Sequence, residues 1–176
     1  MKRAAVFAVT LAAATTLVAT TQLSAQNPNF AGTWAVIADA AAPAPGGGGG
    51  GGGGGRGGGR GGFGLGMGAT ITQDASTLTV VRTTGAGEMR SVYRLDGSES
   101  RNTVQGRGGA TAEQVSRARF DGGRLVITTQ QDFGGNMVET TMALSLDGQG
   151  NLVVETTAPG RGGGAPNTTT LRYRKG

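Results

Sequence analysis

The chain has 176 residues, 36 of them glycine, and contains neither histidine nor cysteine. Those absences remove Ser-His-Asp and Cys-His catalysis, histidine proton transfer, the usual zinc sites and any disulfide framework. The formal charge of +5 is a modest imbalance carried mostly by arginine.

Lys2 and Arg3 form a short basic start, followed by a small, apolar, threonine-interrupted run from Ala4 to Ala19. Leu23-Ser24-Ala25 ends in a residue suited to signal peptidase. This pattern is expected to be a secretory signal over 1–25, too short in its apolar part to span a membrane. With no cysteine there is no site for lipid attachment, so a soluble periplasmic or secreted protein is expected, not a lipoprotein. Residues 26–176 are expected to form a single β-barrel domain.

The sole tryptophan lies in Phe30-Ala31-Gly32-Thr33-Trp34-Ala35-Val36. Phe30, Gly32, Trp34 and Val36 share one parity and so face one side of a strand. A Gly/Arg-rich loop, 40–68, follows, with Arg56, Arg60, Phe63, Leu65 and Met67 set among glycines. So much glycine costs entropy on ordering and buries little, which predicts a disordered loop. Nucleic-acid binding by this tract is not expected in an exported chain.

From Ala69 the pattern is β throughout, with short Val, Thr, Leu and Ile runs between Gly and Asp turns. Strands are predicted near 30–38, 69–73, 77–83, 88–95, 99–104, 114–120, 124–131, 137–146, 151–157 and 168–175. The fifth has almost no apolar face. Asp96-Gly97, Asp121-Gly122 and Asp147-Gly148 recur at near-equal spacing and suit tight hairpins. The result is an all-β chain: an up-and-down antiparallel barrel of about 8–10 strands.

Antiparallel order puts the Asp turns at one end, the base, and the glycine tract at the other, the mouth. Inward positions are apolar toward the base: Trp34, Leu78, Val80, Tyr93, Leu95, Phe120, Leu125, Ile127, Leu144, Leu146, Leu152, Val154, Leu171 and Tyr173. Toward the mouth they become Arg82, Ser91, Thr129, Gln131, Thr140, Thr156 and Thr169. That gradient predicts a cup closed at its base and wet at its mouth. Val81, Val92, Val126 and Val153 lie outward, as strand formers or as a dimer face; the oligomeric state stays open.

Gly32-Thr33-Trp34 on the first strand resembles the lipocalin Gly-x-Trp signature. With Leu95 to Gly97, Leu125 to Thr128, Leu144 to Asp147, Leu152, Tyr173 and Lys175, the chain is similar to small exported bacterial lipocalin-like (calycin-type) proteins. The resemblance implies a late-strand arginine packed over Trp34 by a cation–π contact, with Arg172 and Arg174 as candidates. The chain departs from the family in its ten predicted strands and its lack of a disulfide. The Arg-x-Tyr of fatty-acid-binding barrels is not reproduced either, because Arg172 and Tyr173 are adjacent.

The candidate site is the mouth: Arg82, Ser91, Thr129, Gln131 and Thr140, with Arg107 and Arg161 on the rim loops. Arginine forks suit carboxylate or phosphate, so a small hydrophobic or anionic amphiphilic ligand is expected. The alternative is a structural or surface-interaction barrel without a small ligand. An open cavity favours the first and a filled interior the second. An enzyme is not expected, nor a cofactor or metal. The acids sit in turns (Asp74, Asp96, Asp121, Asp147) or at outward positions (Glu99, Glu113, Glu139, Glu155), and no P-loop, dinucleotide or calcium-loop pattern is present.

Overall fold

The computed structural model describes residues 27–37, 64–84, 87–105, 111–132, 134–160 and 163–176. The signal over 1–25, the loop through residue 63, Arg107 and Arg161 lie outside them.

Ten strands form one sheet: β1 Gly32–Val36, β2 Gly68–Gln73, β3 Thr77–Thr84, β4 Gly87–Arg94, β5 Glu99–Gln105, β6 Thr111–Asp121, β7 Arg124–Asp132, β8 Met137–Leu146, β9 Leu152–Ala158 and β10 Asn167–Lys175. The order is β4-β3-β2-β1-β10-β9-β8-β7-β6-β5, antiparallel throughout. First and last strands pair, Trp34 opposite Lys175 and Val36 opposite Tyr173, so the meander closes into a nearly complete barrel.

The remaining gap lies between β4 and β5, the two ends of the sheet order. Side chains bridge it where a backbone ladder is missing. The Val92 N–H donates to Asn102 Oδ1 at 2.8 Å, and Asn102 Nδ2 donates to the Val92 carbonyl at 3.1 Å. The Arg94 N–H donates to Ser100 Oγ at 2.8 Å. Asn102 thus serves as a spare peptide group, offering one acceptor and one donor. This explains the missing apolar face of β5: its inward residues Ser100 and Asn102, both buried, complete the wall.

The base turns follow their chemistry. Asp96 Oδ1 accepts the N–H of Ser98, and Asp147 Oδ1 accepts those of Gln149 and Asn151, local bonds that hold an Asx turn. At the middle recurrence the turn residues are Gly122-Gly123, with φ of 54° and 81°, while Asp121 still pairs with Arg124 in the ladder. Two consecutive positive φ values are what a two-residue hairpin with right-handed twist demands.

The core sits toward the base. Phe30, Trp34, Ile71, Leu78, Leu125, Ile127, Leu144, Leu152, Val154 and Tyr173 form one cluster, with Leu95, Phe120 and Leu171 packed on its edge. Leu146 and Thr169, expected inside, are exposed: Leu146 is the last residue of β8, and Thr169 lies in the part of β10 that pairs with β9 but not with β1.

Trp34 Nε1 donates to the Phe30 carbonyl at 2.8 Å, so the buried indole leaves no polar atom unpaired. The cation over its ring is Lys175, with Nζ 5.7 Å from the centroid, and not Arg172 or Arg174. Parity is the reason. Lys175 opposes Trp34 and Tyr173 opposes Val36, so 173 and 175 share the inner face while 172 and 174 point outward. Gly32 makes room for this contact, since a Cβ there would stand 2.5 Å from Lys175 Cε. Its φ of 148° also disfavours any side chain.

Candidate binding site at the barrel mouth

The ladder stacks the interior into rungs. Toward the base, Phe120, Leu125, Leu144, Val154 and Leu171 lie in register across β6 to β10. The next rung is Ala118, Ile127, Met142 and Thr156. Above it run Ser100, Ser116, Thr129 and Thr140, then Asn102, Gln114 and Gln131. The chemistry therefore changes within two rungs, from aliphatic to hydroxyl and then to amide.

Most of these polar groups are paired. Ser116 Oγ and Thr129 Oγ1 are 2.8 Å apart, and Gln114 Nε2 donates to Gln131 Oε1 at 2.8 Å. Such pairing is what makes buried polar side chains tolerable. Thr140 differs: its Oγ1 is buried without a hydrogen-bond partner.

Across the barrel, β3 and β4 contribute Arg82, Ser91 and Tyr93. Ser91 is buried, and burial pushes the Tyr93 hydroxyl's pKa up, against a hydrogen bond from Ser91 and the positive charge of Arg82. Arg82 is half-buried and loses some of its basicity to desolvation. One guanidinium nitrogen donates to the Gly64 carbonyl and the other contacts Met89 Sδ at 2.9 Å.

Gly64 belongs to the last part of the glycine tract, and for residues 64–67 alone the disordered-loop expectation needs correcting, the tract before them lying outside the described residues. Residues 64–67 cross the mouth as a strap leading into β2. Leu65 is 1% exposed, inserted into the barrel as part of the core cluster. The Tyr173 hydroxyl donates to the Gly66 carbonyl at 2.9 Å, and burial pushes that phenol up to about 12. The Val36 N–H donates to the Met67 carbonyl at 3.0 Å.

A cavity of about 20 Å³ remains beneath the strap, lined by Leu65, Arg82, Ser91, Gln114, Thr129 and Thr140 among others. A water molecule needs roughly 10–15 Å³ by this measure, so the space suits ordered water and not a second side chain. The structure thus gathers Arg82, Ser91, Thr129 and Thr140 around one void and sets Gln131 one bond away through Gln114.

Sequence reasoning missed Leu65, the Tyr173 hydroxyl, Gln114 and Ser116. The last two share the parity of Phe120 and were legible. Leu65 had only a faint signal, the alternation of Phe63, Leu65 and Met67 among glycines. No protein-family model matches the chain, and a search of curated proteins finds no relative. Fold and site therefore define the class by themselves: a nearly closed, ten-stranded up-and-down barrel with an apolar floor, a polar upper interior and a leucine in its mouth.

Proposed function

We propose that the chain is an exported, lipocalin-like binding protein that takes a small hydrophobic or anionic amphiphilic ligand at the mouth of its barrel. One observation carries this reading: the interior passes from a sealed apolar floor to a rung of hydroxyls and amides beside a half-buried arginine. Burying so many polar groups costs free energy that an all-apolar interior avoids. A site that orients an apolar molecule by a few directed donors has this composition. Export rests on the basic start, apolar run and Leu23-Ser24-Ala25 ending.

The second reading, a barrel that meets other molecules only through its surface, has the filled mouth in its favour: Leu65 leaves a cavity of only about 20 Å³. Titration calorimetry with a series of aliphatic carboxylates, from acetate to dodecanoate, separates the two. The binding reading expects saturable heat from at least one member. Arg82→Ala should then weaken it roughly 10- to 100-fold, the worth of a hydrogen bond to a charged group. No saturable binding by the wild-type chain, or equal affinity in Arg82→Ala, gives the surface reading precedence.

A further inference from the structure

The strap itself says what kind of molecule the mouth accepts, an inference that rests on the mouth being a ligand site. Leu65 sends one branched aliphatic group into the core. The carbonyls on either side of it accept from Arg82 and from the Tyr173 hydroxyl. We propose that Gly64-Leu65-Gly66 occupies the ligand's place, so that binding is an exchange with the strap, and that the ligand is a compact branched acyl carboxylate.

Size follows from what lies beneath. Phe30, Leu78, Leu125, Ile127, Leu144 and Leu152 are each 0% exposed, so the floor has no channel for a long tail. The available room is what Leu65 vacates together with the existing void. An emptied leucine-sized site, on the order of 150 Å³, admits a molecule of about the size of benzene.

The head group follows from the donors. A guanidinium binds a carboxylate through charge-assisted bonds stronger than those to a neutral carbonyl. Thr140 Oγ1 adds an independent sign: it lines the same cavity, is buried and has no hydrogen-bond partner. A carboxylate can accept from it, an interaction that the strap does not make. On its outer side the strap has little packing to lose: Met67 is 82% exposed and a Cβ on Gly66 would touch nothing within 4 Å, so what holds it is its carbonyl hydrogen bonds to Arg82, Tyr173 and Val36 and the burial of Leu65. Exchange sets the affinity: the apparent dissociation constant is the intrinsic one divided by the fraction of molecules with the strap out.

The test uses the full chain, calorimetry, and two probes, 4-methylpentanoate and dodecanoate. Leu65→Ala weakens the internal competitor and should bind 4-methylpentanoate about tenfold tighter than wild type or better. Thr140→Val in that background should weaken the branched acid about fivefold or more. In the wild-type chain, saturating 4-methylpentanoate should speed amide hydrogen exchange at 64–66, a readout that does not depend on any variant folding. Unchanged affinity in Leu65→Ala, or slowed exchange in the strap, overturns the exchange while leaving the mouth a binding site. Dodecanoate binding as tightly as the branched acid overturns the size class alone. If no acid of the series binds either protein, the mouth is not a ligand site and both readings fall.

Discussion

The floor of the barrel and its upper interior are enclosed by the same ten strands but held by different forces. In the floor, large apolar side chains exclude water, and directed bonds are few: the Trp34 indole to the Phe30 carbonyl, the Gln73 Nε2 to the Pro28 carbonyl, and the Phe30 N–H to Gln73 Oε1. In the upper interior, order comes from directed bonds between hydroxyls, amides and backbone groups. Burial is non-directional and scales with area. Hydrogen bonds depend on partner identity and are costly when one partner is lost. The floor should therefore tolerate a change of shape at constant volume, and the upper wall a change of volume at constant hydrogen bonding.

The largest expected effect breaks the floor. Trp34→Ala removes the plug, its bond to Phe30 and the surface under Lys175, and should destabilise the chain by about 3–5 kcal/mol. Leu125→Met at the 0%-exposed Leu125 keeps volume and should cost less than about 1.5 kcal/mol. Urea denaturation monitored by far-UV circular dichroism checks both. Equal losses in the two variants would contradict a floor held by packing.

Next comes the wall. Asn102→Leu keeps the volume but removes both bonds to Val92, leaving an N–H and a carbonyl unpaired at the β4–β5 gap. A loss of about 1–3 kcal/mol is expected, with faster amide exchange at Val92 in nuclear magnetic resonance spectra. If Asn102→Leu proves as mild as Leu125→Met, the gap is closed by packing and the distinction between the two regions collapses.

The floor was largely legible in the sequence because a strand's period of two puts alternate residues on one face, and the alternation of Leu78 with Val80, Leu125 with Ile127 and Leu152 with Val154 was unbroken. The polar rung was legible for the same reason, in Ser91, Thr129, Gln131 and Thr140. What failed was information that one strand does not carry. Asn102 reads as an ordinary polar residue until β4 is known to lie beside it without a ladder. The lipocalin resemblance implies an arginine, Arg172 or Arg174, over Trp34, whereas the inner parity of Tyr173 assigns that face to 173 and 175 and so selects Lys175. Leu65 sits among glycines, whose cost of ordering argued for a loop, and the bonds from Arg82 and Tyr173 that offset that cost come from far along the chain.

The smallest expected effect lies outside both regions, in the base turns, and shows that directed bonds also serve where nothing is buried. Asp74 accepts from the side chain and N–H of Thr77 and from those of Ser76, which holds its carboxyl well below the usual range. The Ser98 hydroxyl and N–H lower Asp96 to about 2, and the N–H of Asn151 lowers Asp147. A carboxyl more acidic in the folded chain than in the unfolded one stabilises the fold fully above the unfolded value, about 3.9, and this is lost as pH falls toward the folded value. The melting temperature should therefore hold from pH 7 to about 5 and decline below about 4. Asp74→Asn should flatten that decline. The exposed ion pairs Arg101–Glu113 and Arg117–Glu99 are screened by salt, whereas the interactions that lower Asp74 are all hydrogen bonds. The acid decline should consequently persist in about 1 M sodium chloride, where the Debye length is about 3 Å. A decline abolished by salt would assign it to the surface charges instead of the turns.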